Sequence, residues 1–296
     1  MAPTRIETPL NVHHAGSFGA LCGESPVWDH RENLLRWVDI TAHQVNAFDP
    51  ATGDSHSLTL DELVSAVLLE KAGSLLVATV SGLQRLDWKS GAIEFVHNPE
   101  PGIAGNRLND CKADPAGTLF AGTMNEGAKQ SSGALYRYGA QGVSRIVSGL
   151  TVSNGLAWSP DGARFYLVDS PLGRIYSFDY NAETGVLSDQ RVFKEYGAGA
   201  GKPDGICTDC EGNLWVAFWG GARIECLRVD GALLHSVPMP VSQVTSLCFG
   251  GADMKTLFVT SARIGVKQPG LDGDIFALTP PVGGLLATEV RLAGVA

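Results

Sequence analysis

DPAGTLFAGT at 114–123, SPDGARFYLVDS at 159–170 and DCEGNLWVAFWG at 209–220 are three copies of one pattern, a polar turn leading into an apolar strand. In each, an acid or Ser-Pro opens the turn, a glycine closes it, and a run of Leu, Phe, Trp, Val and Ala follows. Three looser copies flank them: DHRENLLRWVDI at 29–40, LEKAGSLLVATV at 69–80 and GGADMKTLFVTSA at 250–262. Anchored on Leu34, Leu75, Leu119, Phe165, Leu214 and Leu257, the six units recur at spacings of 41, 44, 46, 49 and 43 residues. Such periods match one propeller blade, which needs about 40–50 residues. Further β-rich stretches complete each unit, among them GLQRLDWKSGAIEFV, GRIYSFDYNAETGVLSDQRVF and ARIECLRVDGALLHSV, with Asp-Pro-Ala-Thr-Gly and Asn-Ala-Glu-Thr-Gly as hairpin turns. The sequence therefore predicts an all-β, six-bladed β-propeller occupying residues 1–296 as one domain. TEVRL near the C-terminus or RIETPL near the N-terminus is expected to supply the strand that closes the sixth blade.

Composition agrees with a turn-rich, largely buried chain: 36 of 296 residues are glycine and only 18% are charged, against about 25% charged in ordinary domains. With 22 basic and 31 acidic residues the net charge is -9, which lacks the basic footprint of a nucleic-acid binder and disfavours anionic lipid. MAPTRIETPL carries no apolar secretory core, and no run reaches the roughly 18 residues of a spanning helix. A cytoplasmic location without membrane or nucleic-acid partners is expected. Cysteines at 22, 111, 207, 210, 226 and 248 are scattered, so reduced thiols are expected, with the Cys207/Cys210 pair as core thiols. GAGAGKP at 197–203 lacks the first glycine and the hydroxyl residue of a phosphate loop, and no G-x-S-x-G elbow is present.

About ten residues before each anchor, where the innermost strand of a blade begins beside the central channel, stand Glu24, Ser65, Asn109, Asn154, Asp204 and Thr245 or Ser246. All carry side-chain oxygen. Asn-Gly and Asp-Gly are routine turn dipeptides, but turns need not fall in repeat register. Equivalent positions on successive blades converge on the axis, so a ring of oxygens is expected at one end of the channel. Glu24 and Asp204 brought together unpaired would be costly. A divalent cation is the simplest compensation: oxygen ligands suit Ca²⁺, Mg²⁺ or Mn²⁺, and carboxylates also accept Zn²⁺ or Fe²⁺.

GESPVWD at 23–29, RLNDCKADPAGTLFAGTM at 107–124, NGLAWSPDG at 154–162, PDGICTDCEGNLWVA at 203–217 and SLCFGG at 246–251 resemble the signature stretches of the regucalcin, gluconolactonase and luciferin-regenerating-enzyme family. The similarity runs in order through nearly the whole chain. It implies a six-bladed propeller that holds one divalent metal in its channel and hydrolyses sugar lactones. By motif, the metal ligands fall on Glu24, Asn154 and Asp204, and the substrate-binding Arg and Asn on Arg107 and Asn109. One departure stands out. Where the family places an acidic substrate contact after Gly-Thr-Met, this chain has Gly127, so that contact is either absent or replaced by Glu126 or Asn125.

Opening a lactone with water needs a polarised carbonyl, an activated water and a stabilised oxyanion. A divalent metal serves these needs and lowers the pKa of bound water from 15.7 towards about 7. Asp204 is the candidate general base, passing the proton on to the leaving alkoxide. The expected partner is thus a small sugar lactone, an aldonolactone such as gluconolactone or a pentonolactone. The rival reading is a calcium-binding propeller without catalysis, because a fold does not dictate function. Loops HNPEPGIAGNRL, NEGAKQSS and YGAGAGKP are expected to form a lid over the same end of the channel.

Overall fold

The computed structural model describes residues 10–292. Its strands form six four-stranded antiparallel sheets arranged in a ring, with a single 3₁₀ turn at Ser170–Leu172 as its only helical element among the described residues. Blades one to five follow chain order from the channel outwards, and their innermost strands are Gly23–Asp29, Val64–Leu69, Asn106–Ala113, Ser153–Trp158 and Lys202–Thr208. The sixth starts with Val244–Gly250. No described helix is long and apolar enough to cross a membrane.

The repeated turn works through its acid. Asp114 Oδ1 accepts the backbone N–H groups of Ala116 and Thr118, each at 2.8 Å, and Asp209 Oδ1 takes those of Glu211 and Asn213 at 3.0 and 2.9 Å. These bonds satisfy turn donors that no strand partner reaches. The strand that follows is buried on both faces because a neighbouring blade covers each. Leu75, Leu119, Phe165, Leu214 and Leu257 are all at most 1% exposed. Apolar clusters accordingly lie between blades: Phe120, Trp158 and Phe165 meet between the third and fourth, and Trp28 stacks on Phe258 between the first and sixth.

Ring closure departs from expectation. The outermost strand of the sixth blade is His13–Gly16, paired with Ile275–Leu278. RIETPL lies almost wholly outside the described residues. TEVRL does not close the blade: after Leu278, Pro280 and Pro281 cannot donate to a sheet ladder, and the chain crosses beneath the ring. There Val290 forms a parallel bridge with Glu70, and Arg291 N–H donates to Gly117 O at 2.8 Å.

Every innermost strand also carries a feature that strict alternation does not predict. Register slips by one residue in all six, between Glu24 and Val27, Val64 and Ala66, Leu108 and Cys111, Asn154 and Leu156, Pro203 and Ile206, and Val244 and Leu247. These are β-bulges, which re-aim side chains at the expense of a local break in the ladder. They lie at the level of the expected oxygen ring.

Candidate active site

The bulges decide what faces the axis. In the first blade Glu24 is followed by Ser25 in the left-handed region at φ 49, a conformation uncommon for a residue with a Cβ. In the fourth and fifth blades the residue after the ring position is glycine, and a Cβ at Gly155 would stand 2.5 Å from Asp204 O, while one at Gly205 would stand 2.1 Å from Ser246 Oγ. Neighbouring innermost strands approach this closely only because those positions are bare.

Asn109, Asn154 and Asp204 form a buried row with Arg107. Arg107 Nη1 donates to Asn109 Oδ1 at 3.0 Å, Asn109 Nδ2 reaches Asn154 Oδ1 at 3.5 Å, and Asn154 Nδ2 donates to Asp204 Oδ1. Asn109 Nδ2 also donates to Ser153 O at 3.0 Å, which ties the third blade to the fourth. Glu24 completes the group from the first blade, its Oε2 accepting the Ser25 N–H at 2.8 Å.

The remaining ring members do not face the axis. Ser65 Oγ lies 3.0 Å from Leu108 O and 3.2 Å from Asn109 O, and Thr245 Oγ1 is 2.5 Å from Gly23 O. Each hydroxyl donates to the main chain of the next blade, because a bulge leaves carbonyls unpaired there. Ser246 points to the lower channel. The expected ring of six oxygens is thus reduced to one side of the axis.

Asp110 was missed by the sequence reading. It shares the bulge with Asn109 and lies deep in the channel, where burial raises its pKa to about 6 against the pull of Lys112 and Arg107. Burial, then the nearby Asp204 and Asp110 charges, pushes the Glu24 carboxyl well above its usual range. Burial first and the Asp110 charge second do the same to Asp204, opposed by the Asn154 hydrogen bond. Cys22, also missed, lies within electrostatic reach of the site, and burial followed by Glu24 and Asp204 keeps its thiol protonated. Burial lowers the Arg107 pKa while Cys22, Glu126, Asp110 and Glu24 pull it back up.

Among the described residues no cluster of three His, Cys, Asp or Glu side chains is close enough to hold a metal by itself. The donor set is two carboxylates and an amide. Glu24 and Asp204 are 6% and 5% exposed, and Arg107 and Lys202 act on them only through space. Buried carboxylates without contacting cations fit a hard, oxygen-seeking dication. These residues are suited to hold such an ion.

The rim carries the expected loops and one more. Gly105 O accepts the Glu126 N–H at 2.8 Å and Asn125 Nδ2 at 3.2 Å, so the segments 98–105 and 126–132 are joined. Asn125 is therefore engaged in the lid, whereas Glu126 lies within electrostatic reach of Arg107. The unforeseen loop is 262–274, fixed where Asp274 Oδ1 accepts the Phe18 and Gly19 N–H groups at 2.8 and 2.9 Å. No disulfide links any of the six cysteines, and Cys210 is exposed rather than core, its Sγ 3.1 Å from Gly284 O. It sits on the turn, past the end of the strand that buries Cys207.

The chain is similar to known proteins over most of its length. The SMP-30/Gluconolactonase/LRE-like region matches residues 22–263. Regucalcin of Gallus gallus is 36% identical over 285 residues, covering 93% of each chain. A luciferin-regenerating enzyme superposes with a TM-score of 0.89 at 34% identity, covering 96% of this chain and 100% of its own. A regucalcin from Agrobacterium tumefaciens, described as a calcium-binding protein, gives a TM-score of 0.91 at 28% identity, covering 96% and 98%.

Proposed function

Because the chain belongs to the SMP-30/gluconolactonase/LRE-like family, we propose that it is a lactonase that opens a sugar lactone to its aldonic acid with the help of one divalent cation. The observation that carries this reading is a pair of buried carboxylates, Glu24 and Asp204, within electrostatic reach of each other, the second ending a hydrogen-bonded row that begins at Arg107. A store for ions would need the acids but not the row.

In this reading Glu24, Asn154 and Asp204 hold the ion. When bound, it supplies Lewis acidity toward the lactone carbonyl and acidifies water at the site. Asp204 accepts the proton of the attacking water and returns it to the ring oxygen as the C–O bond breaks, so lactone and water give the hydroxy acid with no net proton uptake before the acid ionises. Asn109 orients Arg107, which donates to the substrate's oxygens, and Glu126 accepts from a sugar hydroxyl at the rim. The joined loops 98–105 and 126–132 restrict water at the mouth.

The test is proton release from a panel of aldonolactones by chelator-treated protein, with Ca²⁺, Mg²⁺, Mn²⁺, Zn²⁺ or Fe²⁺ restored singly. Opening of at least one lactone with at least one ion is the expected result; no opening above buffer with any ion overturns the reading. The calcium-binding relative favours one alternative, an ion-binding propeller without catalysis. Tight Ca²⁺ binding with every lactone left intact would establish that alternative.

A further inference from the structure

The amide of Asn154 is held from three sides, and each neighbour selects the same orientation. Ser170 Oγ lies 2.6 Å from Pro203 O and 3.0 Å from Asn154 Nδ2. A carbonyl oxygen only accepts, so the single Ser170 proton goes to Pro203. Toward Asn154 the serine oxygen can then only accept, which requires the NH₂ side of the amide. Asp204, as a carboxylate, also requires NH₂, and accepts from that atom. On the opposite side Asn109 Nδ2, a donor, requires the carbonyl. The Asn154 oxygen therefore faces away from Ser170, into the chamber.

Ser170 itself has little freedom. It is 7% exposed and opens the 3₁₀ turn Ser170–Leu172, with Pro171 next. The preceding Asp169 accepts the Thr151 and Val152 N–H groups at 3.0 and 3.2 Å, which fixes the turn to the start of the fourth innermost strand. If a cation took up the Asp204 carboxylate, Ser170 would remain to hold the NH₂.

We infer that Ser170 is a positioning residue that keeps the Asn154 amide oxygen turned toward the cation position, with the Pro203 carbonyl fixing the direction of its own proton. This rests on the proposed cation site but concerns a residue that neither motif nor register singled out. Partners that orient a metal ligand typically contribute 10–100-fold to affinity.

The experiment measures Mn²⁺ binding by calorimetry and the Tm of the cation-free protein for wild type, Ser170→Ala, Ser170→Thr and Ser170→Cys. Ser170→Ala is expected to weaken Mn²⁺ binding about 10–100-fold, with the cation-free Tm within a few degrees of wild type, and Ser170→Thr is expected to restore affinity. A merely structural serine would move the Tm and leave affinity alone. Should the alanine variant not fold, Ser170→Cys carries the test, because sulfur is a weak acceptor and affinity must still fall several-fold. Unchanged affinity in whichever of these two variants folds overturns the inference. Failure of wild type to bind any Mn²⁺ instead overturns the cation site itself, so the two failures are distinguishable.

Discussion

The upper and lower halves of the channel are walled by the same six strands, yet they share almost no chemistry. Above the bulges stand Glu24, Asn109, Asn154 and Asp204; below them pairing resumes, and apart from Asp110 and Lys112 at the top the wall turns mostly to residues such as Val27, Trp28, Leu69, Trp158 and Phe249 around a cavity of about 370 Å³. Lys112 marks the border, reaching from the third blade to Ile206 O of the fifth at 3.0 Å. One extra residue per strand makes the difference. It interrupts the ladder where inward-facing polar groups are needed, and regular pairing below lets side chains pack between blades. The upper half carries groups that burial destabilises, and the lower half supplies the cohesion that keeps them there.

This division can be broken from either side. In the upper half, Asp204→Ala should lower lactone turnover by about 10²–10⁴ while the cation-free Tm holds or rises, since a buried acid has gone; proton release and thermal unfolding report both. In the lower half the reverse is expected. Trp28→Ala, removing a ring 3% exposed and stacked on Phe258, should cost about 3–5 kcal/mol of stability in urea titrations, with kcat per folded molecule retained. Arg107→Ala should lower kcat/KM by about 10–100-fold, the worth of hydrogen bonds from a charged donor, without affecting the urea midpoint.

Two smaller effects sharpen the contrast. Asp110 has a folded pKa of about 6 against about 3.9 in an unfolded chain. The native state therefore holds the extra proton, and the stability this contributes is present below pH about 3.9 and lost as pH rises through about 6. Glu24 and Asp204 act in the same direction. Cation-free protein should accordingly lose Tm on passing from pH 4 to above pH 6, relative to an Asp110→Asn variant. Cys210→Ser, at an exposed site on the underside, should change stability by no more than about 0.5 kcal/mol and leave turnover as it is.

Blades were legible because their signature is local: an acid, a glycine and an apolar run suffice to place Asp114 or Asp209 and the strand after it. The positions of Glu24, Asn154 and Asp204 followed from repeat register. Asp110 did not, because alternation assigns Asn109 and its neighbour to opposite sides, and only a bulge turns both inward. Ser65 and Thr245 were misassigned for the same reason, since whether a hydroxyl faces the axis or a loosened carbonyl depends on the adjacent blade. Ser170 sits 16 residues from Asn154 in sequence, on a turn whose contact with Pro203 belongs to tertiary structure alone. His13–Gly16 carries only four residues of strand, two of them histidine, too few for a period of two to register.

That short N-terminal strand has a consequence for biosynthesis. It is synthesised well before its partner Ile275–Leu278, with five blades encoded between the two. Those blades can be completed in chain order, but the nascent polypeptide has to keep His13–Gly16 unpaired until Ile275–Leu278 emerges. Clipping that segment afterwards would bare the backbone of Ile275–Leu278 and offer a template for association between molecules.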